Sequence, residues 1–341
     1  MGEAIRQAAG QAWPPFVLVG GLLLIGAVVE ADGLFAALGA RLERIRGGPV
    51  VLLAAALGLE AVVVAILNLD TAVVFLTPIV LHAARRRDCD ERPFLYGSLF
   101  MANGASLLLP GSNLTNLIVL AHERLSGAAV AHAMALPWLV VVVLTIGFLA
   151  VRFPLAGRVV SAEPLPPLRL GAGAVATAGA TVLILALRNP ALPVLAVGIV
   201  AVVMRRIRPR LGVRVLVALF LLAVALGTLG RRWGYPASLV ARLDGIETAV
   251  LGAGAAVVLN NLPAAALLSA RRPPHPLSLL IGLDLGPNLA VTGSLSAYLW
   301  YRAARGVGAS PSLVQVTLVG LVLVPLTMAG ALGALALTMR L

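Results

Sequence analysis

The chain has 341 residues, of which 60% are hydrophobic and only 12% charged, and its mean hydropathy is +1.00. Soluble domains carry roughly 25% charged residues, so the composition excludes an ordinary soluble fold and predicts a multi-pass protein of the lipid bilayer. The net charge of +12 comes from 26 basic residues, all Arg, in short clusters between apolar runs, a pattern that marks cytoplasmic loops rather than a nucleic-acid partner.

The single cysteine, Cys89, lies in an Arg-rich loop and excludes an internal disulfide. A thiolate cage for a soft ion would need several. No spacing of metal ligands or of a nucleophile with its base stands out, which argues against an embedded hydrolase; no cofactor is expected.

Residues 14–31 form the first expected span. Phe16 to Val29 has the length of a signal-peptide core, but Val29-Glu-Ala31 is a poor cleavage site and amphipathic sequence follows directly, so a retained span is preferred. Glu30 and Asp32 read as its polar end. Gly33 to Arg46 places Leu34, Leu38, Leu42 and Ile45 at helical spacing with Arg between them, predicting a helix on the membrane surface. The run 49–84 is flanked by Arg on both sides. One span needs about 20 residues and two need roughly 40, and a single crossing would carry an Arg cluster outside. A re-entrant hairpin resolves both, with Asn68-Leu-Asp-Thr71 at its tip.

A span over 93–121 is interrupted by Asn103-Gly-Ala-Ser-Leu-Leu-Leu-Pro-Gly-Ser-Asn-Leu-Thr-Asn116, where Pro110 and Gly111 break the helix among polar residues. Backbone freed at membrane depth is tolerated only where it is buried in protein or lines a wet cavity. A return span over 133–151 leads to a linker around 161–167, two spans at 170–187 and 190–204, and the strongest inside signal at 205–214. The second half then repeats the order: a span at 215–230, a surface helix at 235–247, a hairpin at 248–270 with Asn260 and Asn261 mid-run, a broken span at 276–300 around Gly286-Pro287, and a last span at 312–337. Counting crossings from the Arg clusters, the two halves run in opposite directions. The predicted fold is therefore an all-α inverted-topology repeat, with 1–160 as the first copy, 161–212 as connecting spans and 213–341 as the second copy.

Each copy supplies two polar, non-helical points at membrane depth. Discontinuous helices turn N-terminal amides toward electron-rich groups and free carbonyls toward cations. Candidate solute-lining residues are Asn68, Thr71, Asn103, Ser112, Asn113, Thr115, Asn116, Asn260, Asn261, Asn288, Thr292 and Ser294. None is charged, which suits an uncharged or lightly charged polar solute rather than a strongly anionic one held by ion pairs, although helix-to-helix hydrogen bonding is the alternative for any one of them. Asp70 and Asp284 are the acids nearest the breaks. A charged carboxylate at mid-bilayer costs about 2.5–3.5 kcal/mol, a cost that a site binding and releasing a proton or cation can use; capping of the following helix is the competing reading for Asp70. Glu60 reads either as a coupling group or as a residue facing headgroups or a partner helix. The four His residues sit at span ends and read as solvated.

Four stretches carry a resemblance: Leu67-Asn-Leu-Asp-Thr-Ala-Val-Val-Phe-Leu-Thr-Pro78, Ala102-Asn-Gly-Ala-Ser-Leu-Leu-Leu-Pro-Gly-Ser-Asn-Leu-Thr-Asn116, Asn260-Asn-Leu-Pro-Ala264 and Gly282-Leu-Asp-Leu-Gly-Pro-Asn-Leu-Ala-Val-Thr-Gly-Ser-Leu295. In this order they resemble the arsenite/antimonite efflux permeases of the ion-transporter superfamily. The resemblance implies scaffold and transport domains, an elevator-like movement, and proton-coupled extrusion of neutral trihydroxy-arsenic or -antimony across a bacterial inner membrane. It also implies a homodimer and, in some members, a cytoplasmic ATPase subunit. Members of that family carry further membrane sequence before the span placed here at 14–31, so this chain departs there in scaffold rather than in site motifs. Other superfamily substrates, citrate or dicarboxylates and Na⁺/H⁺ exchange, are the alternative reading, and a non-transporting scaffold a third.

Overall fold

The computed structural model describes residues 2–123, 125–159, 170–209 and 212–339. The expected linker at 161–167 lies outside the described residues. The described chain is helical throughout, and five of its helices are long and apolar enough to cross a membrane. The protein is a polytopic membrane protein.

Helix α1 (Gly2–Ala31) begins well before the expected span and carries Pro14 and Pro15 inside it. At 1.5 Å per residue its 30 residues cover about 45 Å, longer than the hydrocarbon core of roughly 30 Å, so one end projects. Gly33, at φ 74°, turns the chain in the left-handed region into α2 (Leu34–Glu43). Phe35 of α2 stacks on Phe75, ring centroids 4.9 Å apart.

Helices α3 (Pro49–Ile66) and α4 (Leu69–Arg86) form a hairpin. Its turn is shorter than expected: only Leu67 and Asn68 leave the helices, and Asp70 and Thr71 already belong to α4. The Asn68 side chain accepts from the Asp70 amide at 2.7 Å and so starts α4 at once. Helix α5 (Arg92–Gly104) runs into two single 3₁₀ turns, Ala105–Leu107 and Pro110–Ser112, before the short α6 (Leu114–Leu120). Then come α7 (Gly127–Arg152), α8 (Ala172–Ala186), α9 (Ala191–Arg205) and α10 (Val213–Trp233).

The expected surface helix at 235–247 is interrupted. Helix α11 (Tyr235–Val240) covers its first half, residues 241–244 leave the helix, and 245–247 already belong to the next one. The reason is local: Asp244 and Glu247 make a reciprocal capping box that starts α12 (Gly245–Leu259) there. Helix α13 (Asn261–Leu268) follows Asn260 directly. Helix α14 (Pro276–Leu285), 3₁₀ turns at Gly286–Leu289 and Val291–Gly293, α15 (Leu295–Gly306) and α16 (Leu313–Thr338) complete the chain.

Packing relies on small residues, as expected where lipid and Leu are equally apolar. A Cβ on Gly21 of α1 would lie 2.8 Å from the Leu195 Cα of α9, and one on Gly198 would lie 2.7 Å from the Gly21 carbonyl oxygen. Asp32, expected only as a polar helix end, ties three elements: it pairs with Arg205 at 2.6 Å and accepts from the Gly173 amide of α8 at 2.7 Å. A Cβ on Gly282 would lie 2.0 Å from the Ala249 carbonyl, so α14 and α12 also meet backbone to backbone.

Candidate functional site

The first break is built by side chains that take up the carbonyls a continuous helix would have used. Ser106 Oγ donates to the Asn103 carbonyl at 2.7 Å, and Trp138 Nε1 of α7 donates to the Ala105 carbonyl at 3.1 Å. Asn116 Nδ2 donates to the Ser106 carbonyl at 2.7 Å, and Ser112 Oγ donates to the carbonyls of Leu109 and Ser106. The helix restarts at Asn113, whose side chain accepts from the Thr115 amide at 3.0 Å. Freed backbone inside an apolar protein must be paired, and here the motif pairs itself.

The second break has the same end. Ser294 accepts from the Ala297 amide at 3.3 Å and caps α15, as Asn113 caps α6. Glycine brings a neighbour close: a Cβ on Gly320 of α16 would lie 2.1 Å from the Asn288 carbonyl oxygen.

The two breaks touch each other through side chains. Asn113 Nδ2 donates to Asp284 Oδ1 at 2.8 Å, and Asn103 Nδ2 donates to Asn288 Oδ1 at 2.8 Å. Asn288 Nδ2 donates in turn to the Phe100 carbonyl at 3.2 Å. On the other side, Ser296 Oγ donates to Asn103 Oδ1 at 3.1 Å and lies 2.8 Å from Ser294 Oγ. Ten residues separate Asn103 from Asn113, and ten separate Asp284 from Ser294. Each capping residue thus reaches the residue that opens the opposite break: Asn113 meets Asp284 directly, and Ser294 meets Asn103 through Ser296. Asn103, Asn113, Asp284, Asn288, Ser294 and Ser296 are all buried.

Hairpin turns lie beside the breaks. Asn260 Nδ2 donates to the Thr292 carbonyl at 3.1 Å, and its Oδ1 accepts from the Leu262 amide at 3.4 Å. Asn68 is buried in the turn that follows α3, the helix that packs against the first break, and its Nδ2 has no hydrogen-bond partner among the described residues. The same holds for Asn116 Oδ1 and Asp284 Oδ2. An unpaired buried polar atom costs about 1–3 kcal/mol, and Asn68, Asn116 and Asp284 each carry one that the described residues leave unmatched.

Other expected site residues stand apart. Thr71 faces α1, where a Cβ on Gly26 would lie 2.8 Å from its Cγ2. Thr292 is exposed and contributes its carbonyl rather than its hydroxyl. Asp70 is half-buried, and its backbone amide donates to the Asn68 cap. Asn261 is buried and accepts from the neighbouring Leu262 amide at 2.9 Å. Thr115 and Ser112 are buried within the first break itself. Sequence reasoning left out Ser296, two residues beyond the cap of α15, and Ser106, whose carbonyl and hydroxyl both hold the first break.

A cavity of about 1150 Å³ opens between α1, α6, α8, α9 and α10 and reaches Pro110 of the first break. Arg188, Arg231, Arg232 and Arg271 line it. Its two acidic lining residues are already in ion pairs, Glu3 with Arg6 at 3.0 Å and Glu123 with Arg272 at 2.8 Å. His122, expected to be solvated, is half-buried on this wall; burial first, and Arg231 second, push its pKa down. The cavity surface is therefore net positive.

Comparison with known proteins gives one family. No curated protein matches the chain. A family model described as a citrate transporter, CitMHS, matches residues 2–282, which take in both hairpins and the first break. The matched family is the citrate one rather than the arsenite permeases that the four motifs resemble; the ion-transporter superfamily is common to both. With more than half of the chain matched and an all-helical, multi-pass architecture, the protein belongs to the CitMHS citrate-transporter family of secondary membrane transporters.

Proposed function

We propose that the paired breaks hold a small polar solute between them and that the protein moves it by alternating access in exchange for protons. The observation that carries this reading is the contact of the two breaks through Asn113–Asp284 and Asn103–Asn288, at 2.8 Å each. Equal ten-residue spacing and equivalent caps in the two breaks support an inverted repeat, with the hairpins re-entrant from opposite faces. Asp284 is buried beside the polar side chains of Ser106, Asn113 and Asn116, with no cation among them. A carboxyl in that setting is balanced by a proton when no other cation is present, which couples occupancy of the site to protonation.

Amides and hydroxyls without Arg or His at the breaks suit a neutral hydroxy-acid, and efflux of arsenite or antimonite from the cytoplasm across a bacterial inner membrane is the substrate reading this chemistry favours. A second reading has its own support: the matched family is described as transporting citrate, and an arginine-lined cavity leads to Pro110. An anion arriving there meets the Asp284 carboxyl and requires that carboxyl to be protonated first. The homodimer and the ATPase subunit belong to the arsenite reading only.

Uptake into everted membrane vesicles energised with a pH gradient separates the two. Accumulation of labelled arsenite that collapses with the gradient is the expected result. Accumulation of citrate instead establishes the second reading, and transport of neither with well-expressed protein sinks both.

A further inference from the structure

A second buried carboxyl lies outside the paired breaks. Glu60, in α3, has no exposed surface. Its Oε1 accepts from Ser98 Oγ of α5 at 2.5 Å, and Ser98 Oγ lies 2.9 Å from Thr77 Oγ1 of α4. Its Oε2 has no hydrogen-bond partner among the described residues. The charged and titratable residues of the helices packed on it sit elsewhere: Asp70 at the start of α4 and His82, Arg85 and Arg86 toward its end, Arg92 and Tyr96 in the first turns of α5, and His132 and Arg152 near the ends of α7. Among the described residues none of these is in an ion pair or hydrogen bond with Glu60.

An ionised carboxylate removed from water without a cation is far too costly for one hydroxyl to offset. The group therefore carries a proton while it is buried. Its placement separates it from the solute. Eight residues of helix, about 12 Å, divide Glu60 from the turn at Asn68, and five residues, about 7.5 Å, divide Ser98 from Asn103. Glu60 is thus set back from the breaks along the same three helices, α3, α4 and α5, that carry Asn68 and Asn103.

We propose that Glu60, relayed by the Ser98 and Thr77 hydroxyls, is a proton-binding site of the transport cycle distinct from the Asn113–Asp284 pair. This rests on the proton-coupled reading above. The balance is simple: the protonated carboxyl crosses as a neutral group and releases its proton to water on one side, and the carboxylate, hydrated and no longer buried on the return leg, takes another from water on the other side. This site moves one proton per cycle, besides the one bound at Asp284, and no covalent bond other than O–H is made or broken. Ser98 positions the carboxyl and does not meet the solute.

Two measurements on the purified full chain test it. In proteoliposomes, Glu60→Gln keeps a partner for Ser98 and is expected to lose pH-driven flux of arsenite or citrate far more than it loses counterflow of the same labelled probe at equal pH. Retention of the full pH-driven component by Glu60→Gln overturns the proposal. Infrared difference spectra between acidic and alkaline pH need no solute: one component of the protonated-carboxyl stretch of the wild type is expected to be lost in Glu60→Gln, kept in Asp284→Asn, and shifted in Ser98→Ala. If neither probe is transported, the function proposed above fails while the infrared band still decides whether Glu60 exchanges a proton. A band unchanged by Glu60→Gln means that it does not.

Discussion

Asp284 accepts from the Asn113 amide, with the side chains of Ser106 and Asn116 beside it. Asn113 does two things with one side chain: its oxygen caps α6, and its nitrogen donates to Asp284. Replacing it with Ala removes both. A lost cap costs about 1 kcal/mol, and a buried acceptor left without its donor adds about 1–3 kcal/mol. Asp284→Asn is gentler, because the new amide still presents an oxygen to Asn113. The expected outcome is that Asn113→Ala lowers both the melting temperature in detergent and transport, whereas Asp284→Asn keeps the melting temperature and loses the response to pH. Equal melting temperatures for wild type and Asn113→Ala would remove the structural half of this account.

At the scale of elements, the hairpins turn on single asparagines. Asn260 sits at φ 79° and ψ 147°, a backbone conformation that L side chains rarely adopt and that costs on the order of 1–3 kcal/mol. Glycine relieves that strain but gives up the cap and the Thr292 contact; alanine gives up the same contacts and keeps the strain. Asn260→Gly is therefore expected to be more stable than Asn260→Ala in thermal unfolding, with transport reduced in both. If alanine is the more stable of the two, backbone strain at this turn does not decide its stability.

These turns also show what a sequence discloses and what it hides. Polar residues midway through the apolar runs at 68 and 260 pointed to breaks because polar residues there have no apolar role, and the structure bends at both. Pro14 and Pro15 lie inside α1 although proline usually ends a helix, and α1 packs along its length against α9 and α10. The pairing of Asn103 with Asn288 and of Asn113 with Asp284 was not legible at all. Residues more than 170 positions apart meet only through the tertiary arrangement of α5, α6 and α14.

For the whole molecule, the arginine distribution and the helix directions make one prediction about the membrane. The ends of α1, α4, α7 and α9 that carry or adjoin Asp32, Arg85, Arg152 and Arg205 gather on one face, and Arg clusters favour the cytoplasm. The cavity lies at the opposite end, beside the start of α7 and the link between α8 and α9. Its arginines run against the rule, but orientation follows the overall bias of the short loops rather than any one of them. Cys89 is buried and is the chain's sole cysteine, so Cys89→Ser gives a background without thiols. In that background, Arg188→Cys on the exposed cavity wall is expected to react with a membrane-impermeant maleimide added to intact cells. His82→Cys and Arg302→Cys, both exposed at the other end, are expected to react only after the membrane is opened. The reverse pattern would turn the protein over in the bilayer and place the arginine-lined cavity on the side from which an exporter loads. The electrostatic attraction of that cavity would then act on solute leaving the cytoplasm rather than on solute arriving from outside.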